Sequence, residues 1–414
     1  MYRDHTIAII IPAYNEEKLI GKTLSNIPPF ADKIIVVDDA RSDSTGKSAY
    51  SFKGKLKDKL IIVRHEKNQG CGGAIITGYK IALKENMDIS VVMAGDAQMD
   101  PGHMPLLLDP IVEDRADYTK GNRLFSKEIE KMPRSRQRGN AILTLLTKIS
   151  SGYWDIIDPQ NGYTAASSTV LRTIDLNSIH RKYGYNNDIL VRLNIYNFRV
   201  MDVVMPPVYG EEESGIKVRS YTLKMSWLLT KCFFHRITKK YGGLRFHPLI
   251  LFYFSGMVLF LGGFVSGLQI LYLRSLGLFV TDGTMILSSL LLIIGVQLLL
   301  FALLFDMLST RYGTEKEVGK PVKQLKRFHP TIIGLFRRVS SKYWGSRFHP
   351  VALLYGLGIT LSALGLLQGI HVIYYRIFHG SYSSGTIILT TLLLIVGSQS
   401  VLFGMLFEME LSGR

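Results

Sequence analysis

Cysteine is almost absent: Cys71 and Cys232 are the only two among 414 residues. One lies in a glycine turn and the other in a cationic, aromatic segment, so the chain reads as lacking a disulfide. No Cys/His cluster has zinc-ligand spacing. No cleavable leader is expected either, because Met1-Tyr2-Arg3-Asp4-His5 runs straight into a strand-like stretch, and the first domain is therefore expected to stay in the cytoplasm. Acidic residues are scarce, 33 against 49 Lys and Arg, for a formal net charge of +16. That surplus suits a nucleic acid or an anionic membrane surface. The most telling shortage is local. Segments 249–273, 284–305, 351–375 and 386–407 contain no Asp, Glu, Lys or Arg and run for 22 to 25 residues. A helix needs about 20 residues to cross about 30 Å of hydrocarbon. Four such segments in succession argue against buried core helices and for a multi-pass membrane protein. Much of the surplus charge flanks them, which assigns it to lipid head groups and sets nucleic acid aside as a partner.

The apolar half is an internal duplication. Tyr241-Gly242-Gly243-Leu244-Arg245-Phe246-His247-Pro248 returns as Tyr343-Trp344-Gly345-Ser346-Arg347-Phe348-His349-Pro350, a shift of 102 residues. The same shift pairs Gly256 with Gly358, Gly267 with Gly369, Arg274 with Arg376, Gly295 with Gly397 and Asp306 with Glu408. Two equivalent hairpins follow, 249–310 and 349–414, each of two spans with glycines for close helix approach. The stretch between them, 311–348, carries ten cations, from Arg311 to Arg347, against Glu315 and Glu317. Positive residues stay cytoplasmic, so this linker and everything before the first hairpin are expected on the cytoplasmic face of the cell membrane. Residues 221–248 mix Trp227, Phe233 and Phe234 with Lys224, Lys231 and Arg236, the pattern of a helix lying in the interface. A helix packed on the first domain would read the same way. Part of 326–343 looks similar.

Residues 1–220 alternate apolar runs with helical patterns, and each run ends in polar residues. Ile9-Ile10-Ile11 leads to Pro12-Ala13-Tyr14-Asn15-Glu16, Ile35-Val36-Val37 to Asp38-Asp39, and Val91-Val92-Met93 to Ala94-Gly95-Asp96-Ala97-Gln98. In an open α/β sheet, ligands bind outside the carboxyl ends of the strands, where such residues project. The aspartates at 38 and 39 can accept hydrogen bonds from a base or ribose, or simply cap the next helix. Asn68-Gln69-Gly70-Cys71-Gly72-Gly73 forms a tight turn that permits close backbone approach. Arg134, Arg136 and Arg138 open a helix, where forked donors and the helix dipole together make a phosphate site; a solvated basic loop is the other reading.

The order and wording of these motifs resemble the family 2 glycosyltransferases over about the first 220 residues. The resemblance implies an α/β catalytic domain of A-type, Rossmann-like mixed-sheet fold, followed here by an all-α membrane domain of four helices in two repeated hairpins. It implies that Pro12, Ala13, Tyr14, Glu16, Asp39 and Gly70 contact the nucleotide. Relatives carry Asp-x-Asp where this chain has Ala94-Gly95-Asp96, so Asp96 and Gln98 are left to hold Mg²⁺ or Mn²⁺ with the donor diphosphate. Among the family's polyprenyl-phosphate glycosyltransferases, of which dolichol-phosphate mannose synthases are one kind, arginines matched by Arg123 and Arg134 hold the acceptor phosphate. Arg136 and Arg138 are supporting candidates. Asp158, in Asp158-Pro159-Gln160-Asn161-Gly162, and Asp188 match catalytic-site acids. A lipid phosphate is already an anion, with a second pKa of about 6, so both are read as orienting groups before general bases. Lys217 matches a loop that closes over the diphosphate, or is ordinary charge beside the membrane.

The reading is an inverting hexosyltransferase that uses a nucleotide sugar of the GDP-mannose or UDP-glucose type and a polyprenyl, dolichyl-like, phosphate. The runner-up adds a sugar to a lipid-diphosphate acceptor or glycan, and a non-catalytic lipid-translocating or scaffold protein ranks lower. A processive polysaccharide synthase is disfavoured by the missing Gln-x-x-Arg-Trp motif. Self-association is left open.

Overall fold

The computed structural model describes residues 1–40, 43–123, 134–206, 218–242, 248–315, 350–379 and 383–412. It divides into two compact units, Met1–Lys240 with Tyr312–Val318, and Tyr241–Arg311 with Gly319–Arg414.

The first unit is built on a seven-stranded mixed sheet. Its strands are β1 (Ile7–Ala13), β2 (Lys33–Asp38), β3 (Leu60–Arg64), β4 (Ile89–Val92), β5 (Tyr118–Asn122), β6 (Thr164–Ser167) and β7 (Val200–Val204), in the spatial order β3-β2-β1-β4-β6-β5-β7. β1 is buried along its length except for the half-buried Pro12, and β4 is buried throughout, as strands covered by helices on both faces must be. Ile7, Ile9 and Ile11 enter one core cluster, and Ala8 and Ile10 enter the other. The helices that matter to the site are α1 (Ile20–Ser25), α2 (Thr45–Tyr50), α3 (Lys53–Leu56), α4 (Cys71–Lys84), α5 (Met104–Val112), α6 (Arg134–Ser151), α7 (Ser168–Thr173), α8 (Tyr185–Ile195) and α9 (Val218–Tyr241).

Register decides what the sheet presents. β1 aligns Ala13 with Asp38, and β2 aligns Asp38 with Arg64. β6 runs antiparallel to both β4 and β5, setting Thr164 opposite Val92 and Lys120. The carboxyl ends of the other six strands and the amino end of β6 therefore share one edge.

Helix α9 packs on the rest of the first unit. Met225 and Leu229 pack with Leu143 of α6. Arg236, fully buried, donates from Nε to the Ser150 carbonyl at 2.7 Å and from Nη2 to Ile149 at 3.0 Å, closing the carboxyl end of α6. Leu223, Trp227 and Phe234 on the same helix stay exposed. One face of the segment is packed on the first unit, and apolar residues of the same helix lie exposed.

The second unit contains α10 (Pro248–Ser275), α11 (Asp282–Glu315), α12 (Pro350–His379) and α13 (Ser384–Ser412). All four are long and apolar enough to cross a membrane. The duplication is repeated residue for residue in their packing. A Cβ on Gly263 would lie 2.7 Å from Leu292 N, and one on Gly365 would lie 2.9 Å from Leu394 Cγ. Gly267 faces Ser288 at 3.7 Å as Gly369 faces Thr390 at 3.5 Å. Each partner pair is again offset by 102 residues. The hairpins also meet through equivalent residues, since Phe301 and Phe403 stack edge to face with centroids 5.1 Å apart.

Candidate active site

Three non-glycine residues adopt left-handed backbone just past strand ends on the shared edge: Asn15 after β1 (φ 68°), Ala40 after β2 (φ 57°) and Ala97 after β4 (φ 57°). Such conformations cost on the order of 1 kcal/mol each and tend to gather at functional sites. Around them the loops are tied together. The Glu16 amide donates to Thr45 Oγ1 at 3.0 Å, and Thr23 Oγ1 donates to the Gly95 carbonyl at 2.9 Å. A Cβ on Gly95 would sit 3.3 Å from Glu16 Cγ, so the acidic loop after β4 lies directly on the loop after β1. Tyr14 is exposed, Ala13 is buried, and Pro12 and Glu16 are half-buried between them.

Asp39 sits at the centre of a buried hydrogen-bond cluster. Its Oδ1 lies 2.8 Å from His65 Nδ1 and accepts from the Gln69 amide at 2.8 Å, and its Oδ2 accepts from the Gly70 amide at 2.7 Å. It thus shapes the turn that opens α4. Gly70 itself has φ +84°, and a Cβ there would meet the Arg181 carbonyl at 2.7 Å. The turn is held further by Gly73 N donating to Arg181 O at 2.9 Å. The sequence suggested a ribose contact at Asp39; the geometry gives that carboxylate a bracing task first.

Asp96 is half-buried, and its Oδ1 accepts from the Gln98 amide at 3.0 Å. Burial holds its pKa above the ordinary carboxylate value, opposed by hydrogen bonding to the Gln98 and Asp96 amides and by the nearby Arg123 charge. A half-buried carboxylate followed two residues on by a carboxamide suits a hard divalent cation, with further oxygens needed from a ligand. No group of three His, Cys, Asp or Glu side chains suited to a metal occurs among the described residues.

Arg123 and Asp158 come together. Nε and Nη2 of Arg123 lie 2.8 and 3.3 Å from Oδ2 and Oδ1 of Asp158, and the Arg123 amide donates to Oδ2 at 3.2 Å. The aspartate is buried and the arginine side chain is 44% exposed, so the pair presents a cation at the edge. The 158–163 loop also reaches the Asp96 loop, with Tyr163 Oη donating to the Asp100 carbonyl at 3.2 Å. Arg134 opens α6, with Arg136 and Arg138 shortly after it. The side chains of these three, and all of Lys217, lie outside the described residues.

Asp188 is engaged elsewhere. Its Oδ2 accepts from the His180 amide at 2.7 Å and pairs with Arg192 Nη2 at 3.2 Å, while Cys232 Sγ lies 3.7 Å from Oδ1. It anchors the 180–184 loop, which in turn packs on the Gly70 turn, so its observed contacts are those of a brace. Sequence reasoning missed Thr23, His65, Lys120 and Asp202, whose importance depends on neighbours distant in the chain.

A model of the glycosyl transferase family 2 domain matches residues 8–174. The chain is 32% identical over 221 residues to a UDP-N-acetylglucosamine–dolichyl-phosphate N-acetylglucosaminyltransferase of Methanococcus voltae, covering 50% of this chain and 88% of that protein. It is 31% identical over 214 residues to an undecaprenyl-phosphate mannosyltransferase of Micrococcus luteus, covering 50% and 85%. To a polyprenol monophosphomannose synthase of Mycolicibacterium smegmatis it is 28% identical over 218 residues, covering 51% and 80%. Among solved structures, glucosyl-3-phosphoglycerate synthase of Mycobacterium tuberculosis overlaps 56% of this chain and 80% of its own, with a TM-score of 0.42 at 19% identity.

Proposed function

Because this chain belongs to glycosyltransferase family 2 and is a glycosyltransferase, we propose that it transfers a hexose, with inversion, from a nucleotide sugar to a polyprenyl phosphate. The donor is of the GDP-mannose or UDP-glucose type, and the product is a polyprenyl monophosphate sugar. One observation carries the reading: the Arg123–Asp158 pair offers a half-exposed guanidinium at the edge that holds Asp96. The relatives named for dolichyl, undecaprenyl and polyprenol phosphates support the acceptor class.

A phosphate oxygen of the acceptor attacks the anomeric carbon, the bond from that carbon to the diphosphate breaks, and the nucleoside diphosphate leaves. The nucleophile is ionised near neutral pH, its second pKa being about 6, so it needs cations more than a base. Arg123 and the arginines that open α6, Arg134 first, hold that phosphate. Asp158 orients Arg123, and Asp188 keeps the 180–184 loop in place. Pro12, Ala13, Tyr14, Glu16 and the Gly70 turn cradle the nucleotide, with Asp39 fixing the turn and available to the ribose. Lys217, outside the described residues, is assigned to the diphosphate by the family resemblance alone. Mg²⁺ or Mn²⁺ held by Asp96 and Gln98 would supply positive charge for the leaving diphosphate. The four apolar helices form two hairpins in the cell membrane, with the catalytic unit on the cytoplasmic face.

Purified protein given labelled GDP-mannose, UDP-glucose or UDP-N-acetylglucosamine, with dolichyl or undecaprenyl phosphate, tests this directly. Label in a mild-acid-labile monophosphate lipid is the expected result. Label only in oligosaccharide or polymer defeats it.

A further inference from the structure

Behind the Arg123–Asp158 pair, charge continues into the protein interior. Lys120 stands three residues before Arg123 on β5 and is fully buried. Its Nζ donates to the Asn161 carbonyl, in the loop that begins at Asp158. Across the parallel β5–β7 ladder its register partner is Asp202. Asp202 Oδ2 accepts from Asn122 Nδ2 at 3.0 Å and from the Ile157 amide at 2.7 Å. Lys120 and Asp202 therefore hold the chain on both sides of Asp158.

The charged groups that bear on Lys120 are Asp158, Asp202 and Arg123. Burial drives the ammonium toward its neutral form, and the two carboxylates oppose that. Burial likewise raises Asp202, and Lys148 reaches the cluster through it. A lysine serving only as packing is a poor choice here, since buried ion pairs are commonly replaced by apolar residues at no loss of stability. The ammonium instead holds the loop that carries Asp158, and its charge bears on the carboxylate that grips Arg123.

We propose that Lys120 is a positioning residue that acts through Asp158: its buried ammonium draws on the same carboxylate as Arg123 and so sets how tightly that carboxylate holds the guanidinium meant for the acceptor phosphate. The inference rests on the polyprenyl-phosphate reading above. Without Lys120, Asp158 keeps its full charge for Arg123, and the arginine is less available to a ligand.

The test is calorimetric binding of farnesyl phosphate, a short polyprenyl phosphate, and separately of the donor's nucleoside diphosphate, to the full chain in detergent. Lys120→Met should weaken farnesyl phosphate roughly tenfold, the effect of one charged partner, and leave nucleotide binding unchanged. In an Asp158→Asn background the same substitution should change farnesyl phosphate binding less than about twofold, because the shared carboxylate is gone. Lys120→Gln keeps a donor for the Asn161 carbonyl without the charge, and should behave as Lys120→Met does. Should Lys120→Met not fold, Lys120→Gln carries both comparisons. An equal loss in both backgrounds, a parallel loss of nucleotide binding, or full recovery with Lys120→Gln would make Lys120 a structural residue and overturn the proposal. Wild-type protein that binds no farnesyl phosphate removes the acceptor reading instead.

Discussion

Arg123 and Asp158 form a forked ion pair, with Nε and Nη2 at 2.8 and 3.3 Å from the two carboxylate oxygens and the Arg123 amide on one of them. The buried partner is the acid and the accessible one is the base. Two residues that sequence placed in different roles, one for the acceptor phosphate and one among the catalytic acids, thus work as a unit. In the proposed reaction the aspartate orients the arginine.

Arg123→Ala should therefore raise the apparent KM for the lipid acceptor with little change in that for the donor. Loss of one charge-assisted phosphate contact costs about 1.5–3 kcal/mol, roughly 10- to 150-fold in kcat/KM. Steady-state kinetics with each substrate varied in turn checks this, and an effect confined to the donor would contradict it.

Asp188 should behave differently. Asp188→Ala takes the carboxylate from Arg192, which retains its Ser178 contacts, inside the protein, where breaking a buried pair costs about 3–5 kcal/mol. Thermal melting should show that loss, whereas Asp188→Asn should retain activity to within about tenfold, against the ~10²–10⁴-fold expected for a lost general base. If Asp188 proves indispensable and both Arg123 and Arg134 dispensable, the acceptor is a hydroxyl.

Metal dependence follows from Asp96. Excess chelator should abolish transfer, and Mg²⁺ or Mn²⁺ should restore it. Asp96→Ala should be folded by circular dichroism yet inactive. Undiminished activity in chelator would remove the metal from the scheme.

The hairpins give a paired prediction. Gly263→Val and Gly365→Val should each destabilise the protein by about 1–3 kcal/mol through overpacking, while Gly267→Ala should be tolerated, since its nearest neighbour is 3.7 Å from the new Cβ. Thermal unfolding in detergent distinguishes them.

Orientation is testable by reporter insertion. A tag at Thr281 or Ser383 should be accessible from outside and one at Glu317 only from inside, as the basic linker dictates. The reverse labelling would move the catalytic unit to the other face.

Much of this was legible in the sequence because the signals were local or periodic. Uncharged runs of span length, a repeat without gaps, and apolar strands leading to Asp39 and Asp96 need no knowledge of tertiary contacts. What was not legible depends on pairing. The Lys120 position reads as one charge in a strand-like run, and only the β5–β7 register sets Asp202 beside it. The bracing task of Asp39 was hidden because His65 and the Gly70 amide, its partners, lie 26 and 31 residues away. Asp188 braces a loop near it in the chain through His180 and Arg192, and its contact with Cys232 of α9, 44 residues on, shows only in the fold.

The contact between Phe301 and Phe403 joins residues at the same place in the two repeats. Like meeting like is also how identical subunits touch in a symmetric dimer. Between separate hairpins such a contact would come and go with concentration. Tethered in one chain, it forms at a fixed effective concentration set by the linker. The pairing of the two membrane halves is thereby made independent of how much of the protein a cell contains.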